Sequence, residues 1–268
     1  MGKIFMDKII EEYKNTLQMK FFSQTTINAY MADIKKFLEF LPEKNLEIIP
    51  KEIHNYRKYL KNNYKVSTIN RKVTTLNNFF KSLGIDVRLK AEKVHRMSIK
   101  DDFLTEREYK RLLKFAINEK IRITMVVLAH TGIRVSELKY IHVENLKTGI
   151  VEIENKGKIR IIILSKNLIN ILKKYCGERN IKSGSIIEVS RIYIHNSLKQ
   201  SAANARGGLK KSKVHAHAFR HLFAVQFLKK NNNIAALADI LGHSSLETTR
   251  IYTSLNKRQF QEMLEDII

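Results

Sequence analysis

Four stretches within residues 1–84 carry apolar side chains at the spacing of an α-helix, and each is bounded by residues that start or stop helices. The second stretch has the clearest stripe, which includes Ile27, Ile34 and Phe37. Helices this short must bury such stripes against one another to be stable. We therefore predict a four-helix bundle. Its predicted boundaries are Met6–Met19 for the first helix, a Ser23 cap and a Pro42 stop for the second, Pro50 opening the third, and Ser67 capping and Gly84 ending the fourth.

A second domain is expected after residues 85–103, a basic stretch without helical periodicity that we interpret as a linker. Thr105 and Glu108 form a capping-box pattern at the start of its first helix. Helices are expected at 105–118 and 121–130, and alternation at 149–154 and 159–164 predicts a β-hairpin that turns at Lys156 and Gly157. The predicted fold is mainly α with a small β-hairpin. It comprises a four-helix domain at 1–84 and an α/β domain at 104–268 that ends in a helix at 256–267.

The chain is strongly basic, with 49 Lys and Arg against 26 Asp and Glu and a net charge of +23. Both halves share the excess, since residues 1–90 carry +8 and residues 91–268 carry +15. Between Val189 and Ala238 there are nine Lys or Arg and no acidic residue. This distribution is typical of a protein that binds nucleic acid along its whole length. A membrane-surface role is less favoured, because no single basic amphipathic helix dominates.

Cysteine content and hydropathy indicate the compartment. Cys176 is the only cysteine, which excludes an internal disulfide and fits a reducing environment. The sequence has no run of 18 apolar residues, and residues 1–10 lack the apolar core of a signal peptide. We expect a cytoplasmic protein without a membrane segment.

The last fifth of the chain concentrates groups that suit phosphate chemistry. His217 and Arg220 stand three residues apart in HAHAFRH (215–221), so one helix face carries both. Tyr252 follows His243 by nine residues in LGHSSLETTRIYTSL (241–255). Tyrosine can attack a phosphodiester, although its pKa of about 10 means that it benefits from a base and from cationic surroundings. Arginine presents a planar fork that matches two phosphate oxygens.

A metal site is the alternative use of the histidines at 215, 217 and 221. Arg220 lies among them and would repel a cation, and no Cys or carboxylate completes a ligand set. The motifs also lack an Asp/Glu cluster with two-metal spacing, which disfavours a metal-dependent nuclease. We therefore expect neither a metal nor another cofactor.

Two upstream motifs, TGIRVSEL (131–138) and NKGKIRI (155–161), complete a set that resembles the tyrosine recombinase, or phage integrase, family, and the motifs stand in the family's order. TGIRVSEL is similar to the first arginine motif, which implies that Arg134 binds the scissile phosphate and that Glu137 supports it. NKGKIRI is similar to the hairpin motif, which implies that Lys156 is the general acid.

The downstream motifs carry the rest of the resemblance. HAHAFRH implies His217 as the proton-transfer base, Arg220 as the second arginine and His221 as a supporting residue. LGHSSLETTRIYTSL implies His243 as a donor to the phosphate and Tyr252 as the nucleophile. Upstream, TTINAYMADIKKFLEFL and VSTINRKVTTLNNFFKSL are similar to the family's core-binding domain, so the likeness covers nearly the whole chain. The chain begins almost directly at those helices, which favours a simple Xer-like recombinase.

The hairpin motif departs from the family pattern. It is one residue shorter than usual between Lys156 and Arg160, and Ile163 stands where proline is common. Lys158 therefore stays open as the alternative general acid. The residues expected to contact DNA are Lys158, Arg160, Lys210, Lys211, Lys213, Arg71 and Lys72.

The resemblance implies conservative site-specific recombination of duplex DNA through a 3′-phosphotyrosine and a Holliday junction, carried out by a homotetramer on two sites. The contact between protomers is expected from an apolar stripe on the C-terminal helix, formed by Phe260, Met263, Leu264 and Ile267. Three alternatives stay open. They are a type IB topoisomerase-like enzyme, a DNA-binding protein that has lost catalysis, and an RNA-binding module. The intact set of catalytic residues argues against the second, and the lack of an RNP1-like aromatic motif argues against the third.

Overall fold

The computed structural model of the chain describes residues 2–41, 50–93, 103–155, 158–205, 209–231 and 233–242. The chain divides into two compact units between Arg96 and Met97. In the first unit the helices are α1 (Gly2–Met19), α2 (Gln24–Phe40), α3 (Pro50–Asn63) and α4 (Val66–Ser82). In the second unit the elements are α5 (Glu106–Lys114), α6 (Glu119–Thr131), α7 (Asn145–Thr148), β1 (Ile150–Asn155), β2 (Lys158–Ile163), α8 (Lys166–Glu178), α9 (Arg191–Asn204), α10 (Ala216–Asn231) and α11 (Ile234–Leu241), with 3-10 helices at Val135–Tyr140 and Lys211–Lys213.

These elements confirm the predicted fold class, a mainly helical protein with one small antiparallel hairpin. No helix within the described ranges combines the length and the apolar character needed to cross a membrane.

The first unit packs along the stripes that the sequence predicts. The Ser23 side chain caps α2 by accepting a hydrogen bond from the Thr26 backbone N–H. Aromatic rings fill the core, where the Phe37 centroid lies 5.0 Å from that of Tyr56 and 5.4 Å from that of Phe80. Both pairs are edge-on, the arrangement that the ring quadrupoles favour.

Two predicted helix starts in this unit differ from the structure. The helix α1 begins at Gly2, ahead of the predicted Met6. The predicted Ser67 cap is wrong, since α4 begins at Val66 with Lys65 as its N-cap and has no side-chain cap. The apolar stripe determines which face of α4 is buried, but it leaves the first turn undetermined. The predicted end of α4 is confirmed, because Gly84 adopts a φ of +71° directly after the helix.

Residues 85–93, within the stretch predicted as a linker, pack against the bundle. Leu89 is buried in the core, and its backbone N–H donates to Asn77 Oδ1 at 2.8 Å. Asn70 pairs with the backbone of Glu92 in both directions, at 2.8 and 2.9 Å. This segment therefore belongs to the packed first unit.

One buried carboxylate ties α2 to α4. Asp33 is 3% exposed, and Lys72 Nζ lies 2.6 Å from its Oδ1. Arg71 also pairs with Asp33, but its side chain keeps 47% of its surface exposed. The Lys72 ammonium lies 4.9 Å from the centre of the Tyr64 ring. Lys72, which we predicted to contact DNA, is instead engaged in an internal ion pair with Asp33, whereas Arg71 remains accessible.

The second unit has its own core around α6, a helix that is buried on most of its surface and packs against α8, α9 and α10. The predicted capping box at the start of α5 is confirmed, because the Thr105 and Glu108 side chains each bond the other's backbone N–H. The loop that leaves α6, the first half of α10 and the end of α11 meet at one edge of this core.

The predicted hairpin is also confirmed. Ile150 lies opposite Ile163 and Asn155 opposite Lys158, while the turn residues 156–157 lie outside the described residues. Ile153 is fully buried and lies opposite Arg160, so Arg160 stands on the inward face of β2. The register therefore directs a basic side chain toward the protein interior.

Replacing Asp33 by alanine is expected to destabilise the protein by about 3–5 kcal/mol, because Lys72 would stay buried without its counter-charge. Arg71→Ala is the matched control. It removes the exposed partner and leaves the buried pair intact, and we expect a loss of about 1 kcal/mol or less. Urea unfolding of the full chain, followed by circular dichroism, measures both. Equal losses for the two variants would contradict a buried Lys72–Asp33 pair.

Candidate active site

The turn after α6 positions the first predicted arginine. Gly132 has a φ of +65°, and a Cβ there would lie 2.5 Å from Phe223 Cδ1 and 2.8 Å from Leu241 Cδ2. Glycine is required both for this backbone conformation and for the close approach of α10 and α11. Arg134 follows as the N-cap of the 3-10 helix Val135–Tyr140.

The carboxylate of Glu137 is the centre of a hydrogen-bonded cluster. Its side chain is 3% exposed. Arg134 donates to it twice, from Nη1 to Oε1 at 3.0 Å and from the backbone N–H to Oε2 at 2.7 Å. Arg160 Nη2 donates to Oε2 at 2.5 Å. Burial lowers the pKa of the Arg160 guanidinium, and the Glu137 charge opposes that shift. Glu137 thus contacts Arg134, as the motif implies, and it contacts a second arginine that the motif does not imply.

Arg220 is held inside the protein, one helical turn from His217 on α10. It is 1% exposed. Its Nη1 donates to the Gly132 carbonyl at 2.7 Å, and its Nη2 donates to the Leu241 carbonyl at 2.6 Å. These two carbonyls lie at the C-terminal ends of α6 and α11, where carbonyls lack partners within the helix. Arg220 therefore fixes the ends of two helices relative to α10.

The C-terminal end of α11 receives a second arginine. Arg160 Nη1 bonds the Leu241 carbonyl and lies 3.3 Å from the Ile240 carbonyl oxygen. Gly242 follows with a φ of +63°, and a Cβ there would lie 2.8 Å from both Cδ and Nη1 of Arg160. The chain is therefore held directly before His243.

A cleft of about 350 Å³ opens beside these groups, and Arg134 and His217 line it. Arg191 and His195 of α9 also line it, and neither belongs to a sequence motif of the predicted site. Both belong to the acid-free stretch 189–238, which is the signal that points to them. The cleft thus collects basic and imidazole groups from three parts of the second unit.

The electrostatics of the cleft keep His217 neutral. His217 is exposed, but the groups packed around its ring remove part of its hydration, which lowers the pKa of the imidazole, and the positive charge of Arg220 and Arg134 lowers it further. The His221 ring packs edge-on against His217 with centroids 4.8 Å apart, and it lies tilted against Phe103 at 5.0 Å. A neutral imidazole at the mouth of a basic cleft is able to accept a proton.

Several predicted residues lie outside the described part of the chain. These are Lys156, His243 and Tyr252, together with the predicted helix 256–267 and its apolar stripe. Lys158 begins β2 opposite Asn155. The choice between Lys156 and Lys158 as general acid stays a prediction.

The lysines near the start of α10 differ in their surroundings. Lys210 and Lys211 are exposed. The Lys213 side chain is 13% exposed, and its Nζ lies 3.5 Å from Glu108 Oε1. Across the described ranges, no group of three or more His, Cys, Asp or Glu side chains is arranged to hold a metal ion.

Known proteins resemble this chain both in sequence and in fold. Residues 102–259 match the phage integrase family, and residues 10–84 match the N-terminal SAM-like domain of phage integrases. The chain belongs to the phage integrase family. The resemblance stated from the motifs is thereby confirmed.

Individual members of the phage integrase family cover almost the full length of the chain. A tyrosine recombinase of Pseudothermotoga lettingae is 31% identical over 92% of this chain and 93% of its own. The tyrosine recombinase XerA of Pyrococcus furiosus is 30% identical over 98% and 95%. The crystal structure of a lambda integrase dimer bound to a COC′ core site has the same fold, with a TM-score of 0.75 at 20% identity, over 92% of this chain and 76% of that one.

The imidazole of His217 is expected to titrate below the ordinary value of about 6.5, since partial loss of hydration and two arginines disfavour its charged form. A lowered pKa keeps the ring neutral at pH 7, and the neutral form is lost only as the pH falls through that lowered value. NMR titration of the histidine rings measures this, with His217→Gln identifying the signal. A midpoint at or above about 6.5 would show that the arginines do not act on this ring.

Proposed function

We propose that this member of the phage integrase family is a site-specific DNA recombinase that cleaves and rejoins duplex DNA through a phosphotyrosine. One observation carries the proposal. Arg134 and Arg160 pair with the single carboxylate of Glu137 beside the His217 cleft, and Arg220 shares the Leu241 carbonyl with Arg160, which leaves the site with a positive excess. A phosphodiester is the substrate whose negative charge such a site stabilises.

In the proposed reaction, the phenolic oxygen of Tyr252 attacks the scissile phosphorus while its proton passes to His217. The bond from phosphorus to the 5′ oxygen breaks, and Lys156 donates a proton to that oxygen. The products are a 3′-phosphotyrosine and a free 5′ hydroxyl. Lys158 is the alternative donor. Arg134 and His243 stabilise the charge on the non-bridging oxygens by contact, and Arg220, whose Nη atoms bond two backbone carbonyls, adds positive charge from inside the protein. The reaction uses neither metal nor ATP.

Rejoining reverses these steps on a partner duplex, and exchange of both strand pairs passes through a Holliday junction. We propose a homotetramer on two specific DNA sites in the cytoplasm. Its protomers would be joined through the C-terminal segment with the stripe Phe260, Met263, Leu264 and Ile267. A closed ring of identical contacts needs such a heterologous interface.

DNA contact by both units follows from the charge of +8 over residues 1–90 and +15 over residues 91–268. Arg71, Lys210 and Lys211 are accessible and remain proposed phosphate contacts. Lys213 is a weaker candidate because it pairs with Glu108, and Lys158 stays a proposed contact. Lys72 and Arg160 are engaged inside the protein, and we propose structural roles for them.

The nucleophile is tested by covalent trapping. A binding site is first selected from random duplexes with the Tyr252→Phe protein, and a nicked duplex that carries this site is then offered to both proteins. The wild type should form a covalent adduct with the DNA, and Tyr252→Phe should bind equally well and form none. A plasmid with two sites distinguishes recombination from relaxation alone, the topoisomerase outcome. Adduct of normal yield from Tyr252→Phe would exclude the assignment.

Arg134→Ala should slow cleavage of the same duplex by about 10²–10³-fold and change its binding little, because the arginine stabilises charge that develops during attack. Arg134 suits this test because its side chain is 37% exposed, whereas Arg220 also holds two helix ends. Single-turnover cleavage and gel-shift titration measure the two quantities. A loss of affinity as large as the loss of rate would assign Arg134 to docking.

A further inference from the structure

We infer that Arg160 is a positioning residue of the active site and not a DNA contact. This inference rests on the proposed function. Its guanidinium joins two parts of the chain that are remote in sequence. Nη2 donates to Glu137 at 2.5 Å, and Nη1 donates to the carbonyls that end α11. Arg160 therefore connects the 3-10 helix that follows Arg134 with the segment that precedes His243.

The guanidinium has no open fork for a phosphate. The side chain is 15% exposed, and both terminal nitrogens donate to protein oxygens. Its Nε is buried and has no hydrogen-bond partner among the described residues. A phosphate contact would require the Glu137 bond to break, and Glu137 would then stay buried with a single arginine.

The contacts on either side of Arg160 lead to the proposed catalytic groups. On one side, Glu137 accepts two hydrogen bonds from Arg134, so the arginine that orients Glu137 also orients Arg134. On the other side, the Leu241 carbonyl accepts from Arg160 and Arg220 together. The backbone that enters residue 243 is thus held by two arginines of different elements.

The position of Arg160 in β2 adds a third connection. It lies two residues after Lys158 on the strand that leaves the hairpin turn. Since its side chain is anchored to Glu137 and to the end of α11, the middle of the hairpin is anchored with it. The strand that leads from the candidate general acid is therefore fixed relative to Arg134.

Gly242 lies close to the contact between Arg160 and the end of α11. A Cβ at this position would lie 2.8 Å from Arg160 Cδ and Nη1. Gly242→Ala therefore disturbs the contact from the opposite side and removes no charge. It serves as a second variant if loss of the arginine unfolds the protein.

The test compares Arg160→Ala, Arg160→Lys and Gly242→Ala on the selected nicked duplex. We expect each to lower the single-turnover cleavage rate at saturating protein by about 10²-fold, since small misplacements of catalytic groups have effects of this size. Affinity and the slope of log affinity against log salt should stay at the wild-type values. Arg160→Lys should cleave as poorly as Arg160→Ala, because one ammonium cannot bridge Glu137 and the α11 carbonyls.

Arg122→Ala is the matched control. It removes an arginine of the same unit that pairs with Glu119 at the far end of α6 from Gly132. It should leave the cleavage rate unchanged. The double variant Arg160→Lys with Gly242→Ala should lose no more than the poorer single variant, because both changes break the same contact.

Five results would overturn the inference. A salt slope reduced by about 0.9, together with weaker binding, would make Arg160 a phosphate contact. A wild-type cleavage rate in Arg160→Lys would show that charge alone suffices. If the losses of cleavage rate add in the double variant, Gly242 and Arg160 act independently and do not share one contact. If the wild type traps no adduct, the proposed function fails and the inference fails with it, whereas normal wild-type trapping with unaffected variants rejects the inference alone.

Discussion

The buried carboxylate of Glu137 is the interaction on which the site of this integrase-family protein depends. A carboxylate that is 3% exposed is stable only when it is paired and hydrogen-bonded. Glu137 accepts two hydrogen bonds from Arg134 and one from Arg160, so its burial requires both arginines to stay in place. Breaking a buried pair leaves an uncompensated charge and is strongly destabilising. The arrangement of the arginines therefore follows from the need to neutralise one acid.

The ends of two helices supply the second set of constraints. The last carbonyls of a helix have no partner within it and carry the negative end of the helix dipole. Arg220 donates to the carbonyls at the ends of α6 and α11, and Arg160 donates to the end of α11. Glycine occupies the positive-φ position at both ends, at Gly132 and Gly242. The absence of a Cβ lets the arginines and neighbouring helices approach, so backbone geometry and charge act together at these points.

Local patterns in the sequence predict much of this structure. The α2 stripe, the capping box at Thr105, the hairpin and the helical spacing of His217 and Arg220 all depend on residues that are near one another in the chain. The roles of Lys72 and Arg160 could not be predicted in this way. Asp33 lies 39 residues before Lys72, and Glu137 lies 23 residues before Arg160. A basic residue in a basic chain is expected at the surface, and only the fold reveals the distant buried acid that draws it inward. The predicted Ser67 cap is wrong for a different reason. The apolar stripe of α4 determines which face of the helix is buried, but it does not determine where the first turn begins.

In the proposed reaction, Arg134 and Arg220 affect the pKa of both groups that exchange a proton, the His217 imidazole and the attacking tyrosine. Loss of hydration lowers the pKa of His217, and Arg220 and Arg134 lower it further, which keeps the imidazole neutral and able to accept a proton. Positive charge of this kind also favours the ionised form of a tyrosine brought beside it, since an anion gains from nearby cations what an imidazolium loses. A phosphate that enters the cleft brings the negative charge that offsets the arginines, and it weakens their effect on the histidine. The histidine would then become more basic when the substrate is bound, at the stage where the tyrosine must release its proton.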